Sequence, residues 1–508
     1  MTTEAASRAA RPSIIQYFRI EGLHGYRSLS LESDYAATLL IAKNGSGKTT
    51  LLAALDAFLK GQFSRFKDLR FARIRCKLSN LPEELVLQSE DVTRYMSNTV
   101  IEAEARRMEI DTPTLYLFLE QFPSSDRFLG DDDISSVILQ KFGYNRPSAN
   151  AHLNRLSQAV YAESPTIRET LATLNEALKE IEIVYLPTYR RIELAVTPST
   201  RPDQYGRVRK QLLPGQKPGL YSTDIQFGLS DVVERLSQLN QQVVTDSSLG
   251  YRELSASIIN ELISGEFDRA DPTTEAMPER AELELFFSRL KTNRTRRQFG
   301  PYFDLSIPNI SQIYTGESGG ISPESNKFLL YFLGKLNSVI QSTRGIEALV
   351  RDFIENCNKY LSSIDVSTTV NGDELSSVGE GETDGKVLTL SRRDLTISVD
   401  SLLAHRKIPL NSLSSGEKQM ISLFAKLYLY PKDKIILIDE PELSLSIDWQ
   451  RQILVDIVEA PLCQQVIAIT HSPFVFDNCL EPFARPLTST VDIERALQTP
   501  DDFEPDNT

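Results

Sequence analysis

Lys48, Thr49 and Thr50 close a glycine-rich run, Ala42-Lys43-Asn44-Gly45-Ser46-Gly47-Lys48-Thr49-Thr50. The apolar stretch Thr38 to Ile41 leads into it. Leu51, Leu52, Leu55 and Phe58 follow at helical spacing. Strand, glycine loop and helix start, in that order, are the setting for binding a phosphate chain. Gly45 and Gly47 let the backbone curl around phosphate oxygens. The N–H groups from Asn44 to Thr50 and the helix N-terminus supply donors and partial positive charge. Lys48 would reach the terminal phosphates, and the Thr49 hydroxyl would ligate Mg²⁺. The first position holds Ala42, where glycine is usual.

A second group of residues could do hydrolysis. Ile435 to Ile438 reads as a buried strand, and it ends in Asp439-Glu440-Pro441. Ligands of open α/β sheets sit at the carboxyl ends of strands. There Asp439 would hold Mg²⁺, and Glu440 would polarise the attacking water as general base. A further apolar run, Val466 to Thr470, ends at His471.

Between these stands Leu413-Ser414-Ser415-Gly416-Glu417-Lys418-Gln419, a polar loop opening a helix. It resembles the signature of the ABC-type ATPases. The resemblance implies that Ser414, Ser415 and Gly416 of one copy close over ATP held by another, with His471 as the switch histidine. The implied cofactors are ATP and Mg²⁺. The implied fold is an α/β ABC-type head: a mixed sheet with a phosphate-loop core, an antiparallel β subdomain and a large helical insertion. The long span between Lys48 and Ser414 is unlike a transporter ATPase and is similar to the Rad50/SMC and overcoming-lysogenisation-defect branch. Within it, Tyr185 to Glu193, Leu413 to Gln419 and Thr470-His471-Ser472-Pro473-Phe474 resemble the stand-alone ATPases of bacterial anti-phage operons, PARIS-type first and Septu next. That resemblance implies a homo-oligomeric sensor and scaffold built on head dimers. It would hold a separate effector nuclease, Toprim-type or HNH-type, until a phage trigger protein releases it. Ser446 stands where many relatives carry Asp or His. Gln226 is the candidate for the glutamine that links Mg²⁺ to the helical lobe.

The elements that must position these residues give a coarse map. The head begins at 13–62, with two strands around Gly22 to Arg27 before the phosphate loop. A mostly helical insertion spans 63–180. Residues 181–224 return to the head sheet through Ile181 to Pro187 and then form a loop. A second helical region for assembly spans 225–370, with Leu329, Leu333, Leu336 and Ile340 on one face. Residues 385–485 complete the head, opening on a hairpin at 386–399, and 486–508 form a tail. Met1 to Pro12 reads as a loose, polar end without the apolar centre of a secretion signal.

Composition bounds the function. A chain of 508 residues exceeds one simple core, so two or three domains are expected. No run of about 18 apolar residues suggests a membrane span. Four cysteines lie far apart without a Cys-x-x-Cys pair, which fits a reducing cytoplasm and suggests neither a zinc ribbon nor a disulfide framework. Gly130-Asp131-Asp132-Asp133 lacks the alternation of a calcium loop. The net charge of −14 opposes a protein coated in nucleic acid. Two basic clusters remain: Arg65, Lys67, Arg70, Arg73, Arg75 and Lys77 with Phe63, Phe66 and Phe71 interleaved, and Arg289, Lys291, Arg294, Arg296 and Arg297. They admit an alternative, a Rad50/RecF-like DNA-repair ATPase acting on duplex; a solvated face with aromatics turned inward is the favoured reading of the first. The short segment after His471 leaves no room for a fused Toprim domain, so no intrinsic nuclease is expected.

Overall fold

The computed structural model describes residues 2–43, 45–121, 133–162, 164–187, 220, 229–269, 276–295, 308–314, 322–361, 385–402, 406–443 and 445–492. They form two compact units, Met1–Gln226 with Pro431–Thr508, and Phe227–Tyr430.

The first unit carries two sheets. Strands β1 (Ile15–Leu23), β2 (Arg27–Glu32), β3 (Ala37–Ile41), β4 (Arg73–Leu78), β5 (Leu85–Gln88) and β6 (Ile181–Leu186) come from its N-terminal part. In the second unit lie β7 (Lys386–Ser391), β8 (Thr396–Ser401) and β9 (Lys407–Ile408). The chain then returns with β10 (Asp433–Asp439), β11 (Cys463–Thr470), β12 (Ala484–Pro486) and β13 (Thr488–Val491). One five-stranded sheet runs β12-β3-β11-β10-β6, and all its pairings are parallel. The other runs β13-β2-β1-β4-β5, and all its pairings are antiparallel.

Sequence explains the difference. In β10, Lys434 to Asp439 are all buried, the mark of a strand covered on both faces. In β1 and β4 burial alternates, with Phe18 and Ile20 turned in beside Ile74 and Cys76. The helix Lys48–Leu59 packs beneath the parallel sheet. Leu51, Leu55 and Phe58 share one core with Ile435, Leu437, Ile467 and Ile469, and with Phe18 and Leu29 of the antiparallel sheet. This is the α/β architecture expected: a phosphate-loop sheet joined to an antiparallel one.

The second unit is mainly helical. Ser322 accepts from the Ser325 N–H at the start of Pro323–Leu361, where proline in the first turn costs no hydrogen bond. That helix packs along Leu229–Ser264, and Leu254, Ile258, Leu333, Leu336 and Ile340 fill the seam with Phe286 and Phe287. The strands β7-β8-β9 form a small antiparallel sheet.

One expectation is corrected, and detail is added within the expected bounds. The N-terminal residues are not loose: Thr2–Ala9 is a helix with Ala5 and Ala9 buried, and Arg8 donates to the Glu459 carbonyl at 2.8 Å. Within the mostly helical stretch 63–180, β4 and β5 extend the antiparallel sheet. The tail 486–508 begins with β13, which pairs with β2. The stretch 385–485 is divided at Tyr430/Pro431, because the helix Ser415–Tyr428 packs on Pro323–Leu361, with Tyr360 and Phe424 rings 5.4 Å apart.

The first basic stretch is largely engaged within the chain. Arg65 pairs with Asp56 at 2.6 Å, Arg73 with Glu21, and Arg75 with Glu84 at 2.7 Å; Lys77 donates to the Leu81 and Pro82 carbonyls. Phe63, Phe66 and Phe71 are buried. In the second cluster Arg289 is buried against Glu347 at 2.7 Å, whereas Arg296 and Arg297 lie outside the described residues. Gln226, Thr188 to Glu193, and Gly130 to Asp132 also lie outside them.

Candidate functional site

The phosphate loop leaves β3 at Ile41 and is tied at once to the neighbouring strand, since the Ala42 N–H donates to the Thr470 carbonyl at 3.1 Å. Gly45 and Gly47 have φ of 76° and 89°, the left-handed region open to glycine. Gly47 is the N-cap of the helix Lys48–Leu59. A Cβ there would stand 2.7 Å from a methyl of Leu29, so the second glycine serves packing as well as backbone conformation. Arg27 donates to the carbonyls of Gly45 at 3.3 Å and Ser46 at 2.6 Å. In a trans peptide the N–H opposes the carbonyl, so the Gly47 N–H points away from Arg27. Asn44 lies outside the described residues; Ser46 precedes the N-cap, and Thr50 sits in the helix's first turn.

The carboxyl ends of β3, β11 and β10 lie side by side, and the chemistry-bearing residues meet there. Lys48 Nζ is 2.7 Å from Glu440 Oε1, with Lys48 only 6% exposed. Thr49 Oγ1 donates to Asp439 Oδ2 at 2.6 Å, and Asp439 is fully buried. Glu440 has φ of 53°, a conformation that costs a long side chain energy and is held where a site needs it. Its N–H donates to the Ile469 carbonyl at 2.8 Å, which extends the β10–β11 ladder by one residue.

His471 follows β11. Its Nδ1 lies 2.9 Å from Glu442 Oε1 and 3.6 Å from Glu440 Oε1. Glu442 is nearly buried, and its Oε1 also accepts the N–H groups of His471 and Ser472, at 3.0 and 3.2 Å. Ser472 Oγ bonds Gln450 Oε1 at 2.9 Å, and Gln450 Nε2 reaches the carbonyls of Glu442 and Leu445. One carboxylate thus fixes both the backbone and the ring of the histidine. Sequence reasoning missed Glu442, which looks like one more acid in an acidic turn. It also missed Arg27, which looks like a turn residue. Neither carries a spacing signal.

Lys48, Thr49, Asp439, Glu440 and His471 are brought together. The balance is one ammonium among three carboxylates, Asp439, Glu440 and Glu442. A hydroxyl and a carboxylate 2.6 Å apart in a net-negative centre form an all-oxygen donor set, which suits Mg²⁺.

Ser414, Ser415 and Gly416 belong to the second unit. Ser414 caps the helix Ser415–Tyr428 in a full capping box: its Oγ accepts the Glu417 N–H at 3.3 Å, and its own N–H donates to Glu417 Oε2 at 2.7 Å. Ser414 and Ser415 are exposed, and Gly416 is buried. Lys386 Nζ meets both oxygens of Glu417, at 2.8 and 3.0 Å. Ser446 caps the helix Ile447–Glu459, accepting from the Trp449 N–H at 3.4 Å.

Two stretches match family models of ATPase domains. Residues 18–182, with the phosphate loop, match one described as "AAA domain". Residues 386–477, with Ser414, Asp439, Glu440 and His471, match one described as "AAA domain, putative AbiEii toxin, Type IV TA system". Both stretches that hold the site are therefore similar to ATPase domain models. No curated protein matches the sequence. Among solved structures, the Smc head domain with an extended coiled coil bound to the C-terminal domain of ScpA, from Pyrococcus furiosus, overlaps with a TM-score of 0.34. It is 12% identical and covers 95% of this chain and 98% of that one. A structure of the SmcHead bound to the C-winged helix domain of ScpA overlaps with a TM-score of 0.32 at 11% identity, over 96% and 100% of the two chains. At those scores neither overlap bears on function. Among the described residues no helix is long and apolar enough to cross a membrane.

Proposed function

We propose that this chain binds and hydrolyses ATP, and that a second copy completes each nucleotide site. One observation carries the reading: Lys48 with Glu440, and Thr49 with Asp439, converge at the carboxyl ends of neighbouring strands. A phosphate chain on the loop would draw the Lys48 ammonium to its own oxygens. That would free the Glu440 carboxylate to polarise water as general base. Thr49 and Asp439 would hold Mg²⁺, which supplies charge neutralisation across the terminal phosphates. His471, steered by Glu442, would face the terminal phosphoryl group. Asn44, Gly45, Ser46, Gly47 and Thr50 would contribute loop and first-turn donors. The exposed Ser414 and Ser415 hydroxyls and the Gly416 amide of a second copy would close the site.

The finer reading is a sensor and scaffold of a two-component anti-phage system, PARIS-type or Septu-type, assembled from head pairs and holding a separate nuclease. Its support is the likeness at 413–419 and 470–474. Co-purification with the product of the neighbouring gene tests it.

Glu440→Gln tests the core reading. Turnover should fall at least about 100-fold while nucleotide still binds. Unchanged turnover would remove Glu440 as the base.

A further inference from the structure

Lys386 stands 28 positions before Ser414 in sequence, on a different element, yet it touches the first turn of the signature helix. Both of its contacts go to one carboxylate, that of Glu417. Glu417 is the third helical residue, where a carboxylate completes the capping box by taking the Ser414 N–H.

That arrangement contains a conflict. The cap needs an acceptor at Glu417, and an acid supplies the strongest one. A helix N-terminus that is to meet a triphosphate is poorly served by a fixed negative charge in its first turn. The Ser415 and Gly416 amides precede the first intrahelical donor and have no acceptor within the helix. Their attraction for phosphate would be opposed by a bare Glu417 side chain. Burial disfavours the Glu417 carboxylate, but Lys386 and the Ser414 N–H hold it below its ordinary range, so it is ionised at neutral pH. Its charge needs compensation, and Lys386 lies bidentate upon it.

We infer that Lys386 is a positioning residue of the signature: by neutralising Glu417 it lets the capping box hold Ser414 without repelling the phosphates of a partner-bound nucleotide. The inference rests on the two-copy reading above. It also separates two jobs of one side chain. Glu417 orders the loop as an acceptor, and Lys386 removes its charge.

The test uses the full chain in a Glu440→Gln background, which stops turnover. Self-association with ATP and Mg²⁺ is followed by sedimentation. Nucleotide affinity is read with a fluorescent ATP analogue at protein concentrations too low for association. Lys386→Met should weaken ATP-dependent association by roughly tenfold or more and leave the affinity of single copies unchanged. Lys386→Arg should retain association. Lys386→Met with Glu417→Gln should restore it, because glutamine keeps the cap and removes the charge. A purely structural ion pair would instead lower both readouts together through partial unfolding. The inference is overturned if Lys386→Met associates like its parent, or if Glu417→Gln fails to rescue it. Ser414→Arg tells the two readings apart. If that variant also associates normally with ATP, the two-copy reading falls and takes this inference with it. If Ser414→Arg abolishes association and Lys386→Met does nothing, the inference alone falls.

Discussion

Glu442 shows how much a single carboxylate can organise. It takes two consecutive backbone N–H groups and sits beside Nδ1 of the histidine between them. Replacing it with glutamine keeps an oxygen for both N–H groups and removes the charge beside the ring. Replacing it with alanine leaves two partly buried donors without their acceptor, at about 1–3 kcal/mol. Glu442→Ala should therefore lower the urea midpoint and turnover together. Glu442→Gln should keep the midpoint and lower turnover alone. Turnover of Glu442→Gln equal to that of the unsubstituted chain would show that the charge near His471 is irrelevant. At this scale the sequence reading names Lys48, Thr49, Asp439, Glu440 and His471, because each sits where a strand gives way to a loop or helix. Glu442, Arg27 and Lys386 act through distant carbonyls, amides and carboxylates, and nothing in the local sequence marks them.

Elements explain the remaining differences between reading and structure. β3, β10 and β11 are legible because strands covered on both faces need unbroken apolar runs, as in Ile435 to Ile438 and Val466 to Ile469. β4 is the instructive failure. Arg73, Arg75 and Lys77 alternate with Ile74, Cys76 and Leu78, so a charged face hides a period of two. Among the described side chains of the helix Thr2–Ala9 only Ala5 and Ala9 are buried, too little apolar weight to be noticed. The phosphate-loop helix yields a direct prediction. Gly47→Ala forces a Cβ onto Leu29 at a left-handed φ, so it should cost about 1–3 kcal/mol by thermal unfolding and weaken nucleotide binding as well. The far end of that helix joins a buried polar network. Asp56 pairs with Arg65, and the next residue back, Ser64, donates through its N–H and hydroxyl to Glu120, which also accepts from Tyr95. Burial pushes the Glu120 carboxyl up to about 7, against these three donors. A raised acid binds its proton more tightly when folded, so its contribution is full below the ordinary carboxylate range and fades as pH rises towards 7. Unfolding stability should then fall between pH 5 and 7 by up to about 1.4 kcal/mol per pH unit from this group. Glu120→Gln should flatten that part of the slope; an unaltered slope would place the titration elsewhere.

At the scale of the whole molecule, the proposal divides one reaction between two units of the chain. The phosphate loop, Asp439 and Glu440 lie in the first unit, and Ser414 lies in the second. If a site takes its first unit from one copy and its second from another, defects in the two units must be separable. A Ser414→Arg chain would keep a sound phosphate loop and base but offer its partner a blocked signature. A Glu440→Gln chain would keep a sound signature but lack its own base. Each should be inactive alone. Mixed, they pair so that one site of two joins the intact first unit of one copy to the intact signature of the other. Each mixed dimer has one working site of two, so activity should return, to about a quarter of the unsubstituted rate where pairing is random and to less where Ser414→Arg weakens it. Turnover per chain should also rise with protein concentration, because an isolated copy has no complete site. The mixing experiment excludes its rival sharply. Were each site completed within one chain, both variants would stay dead at every ratio, and rate per chain would not depend on concentration.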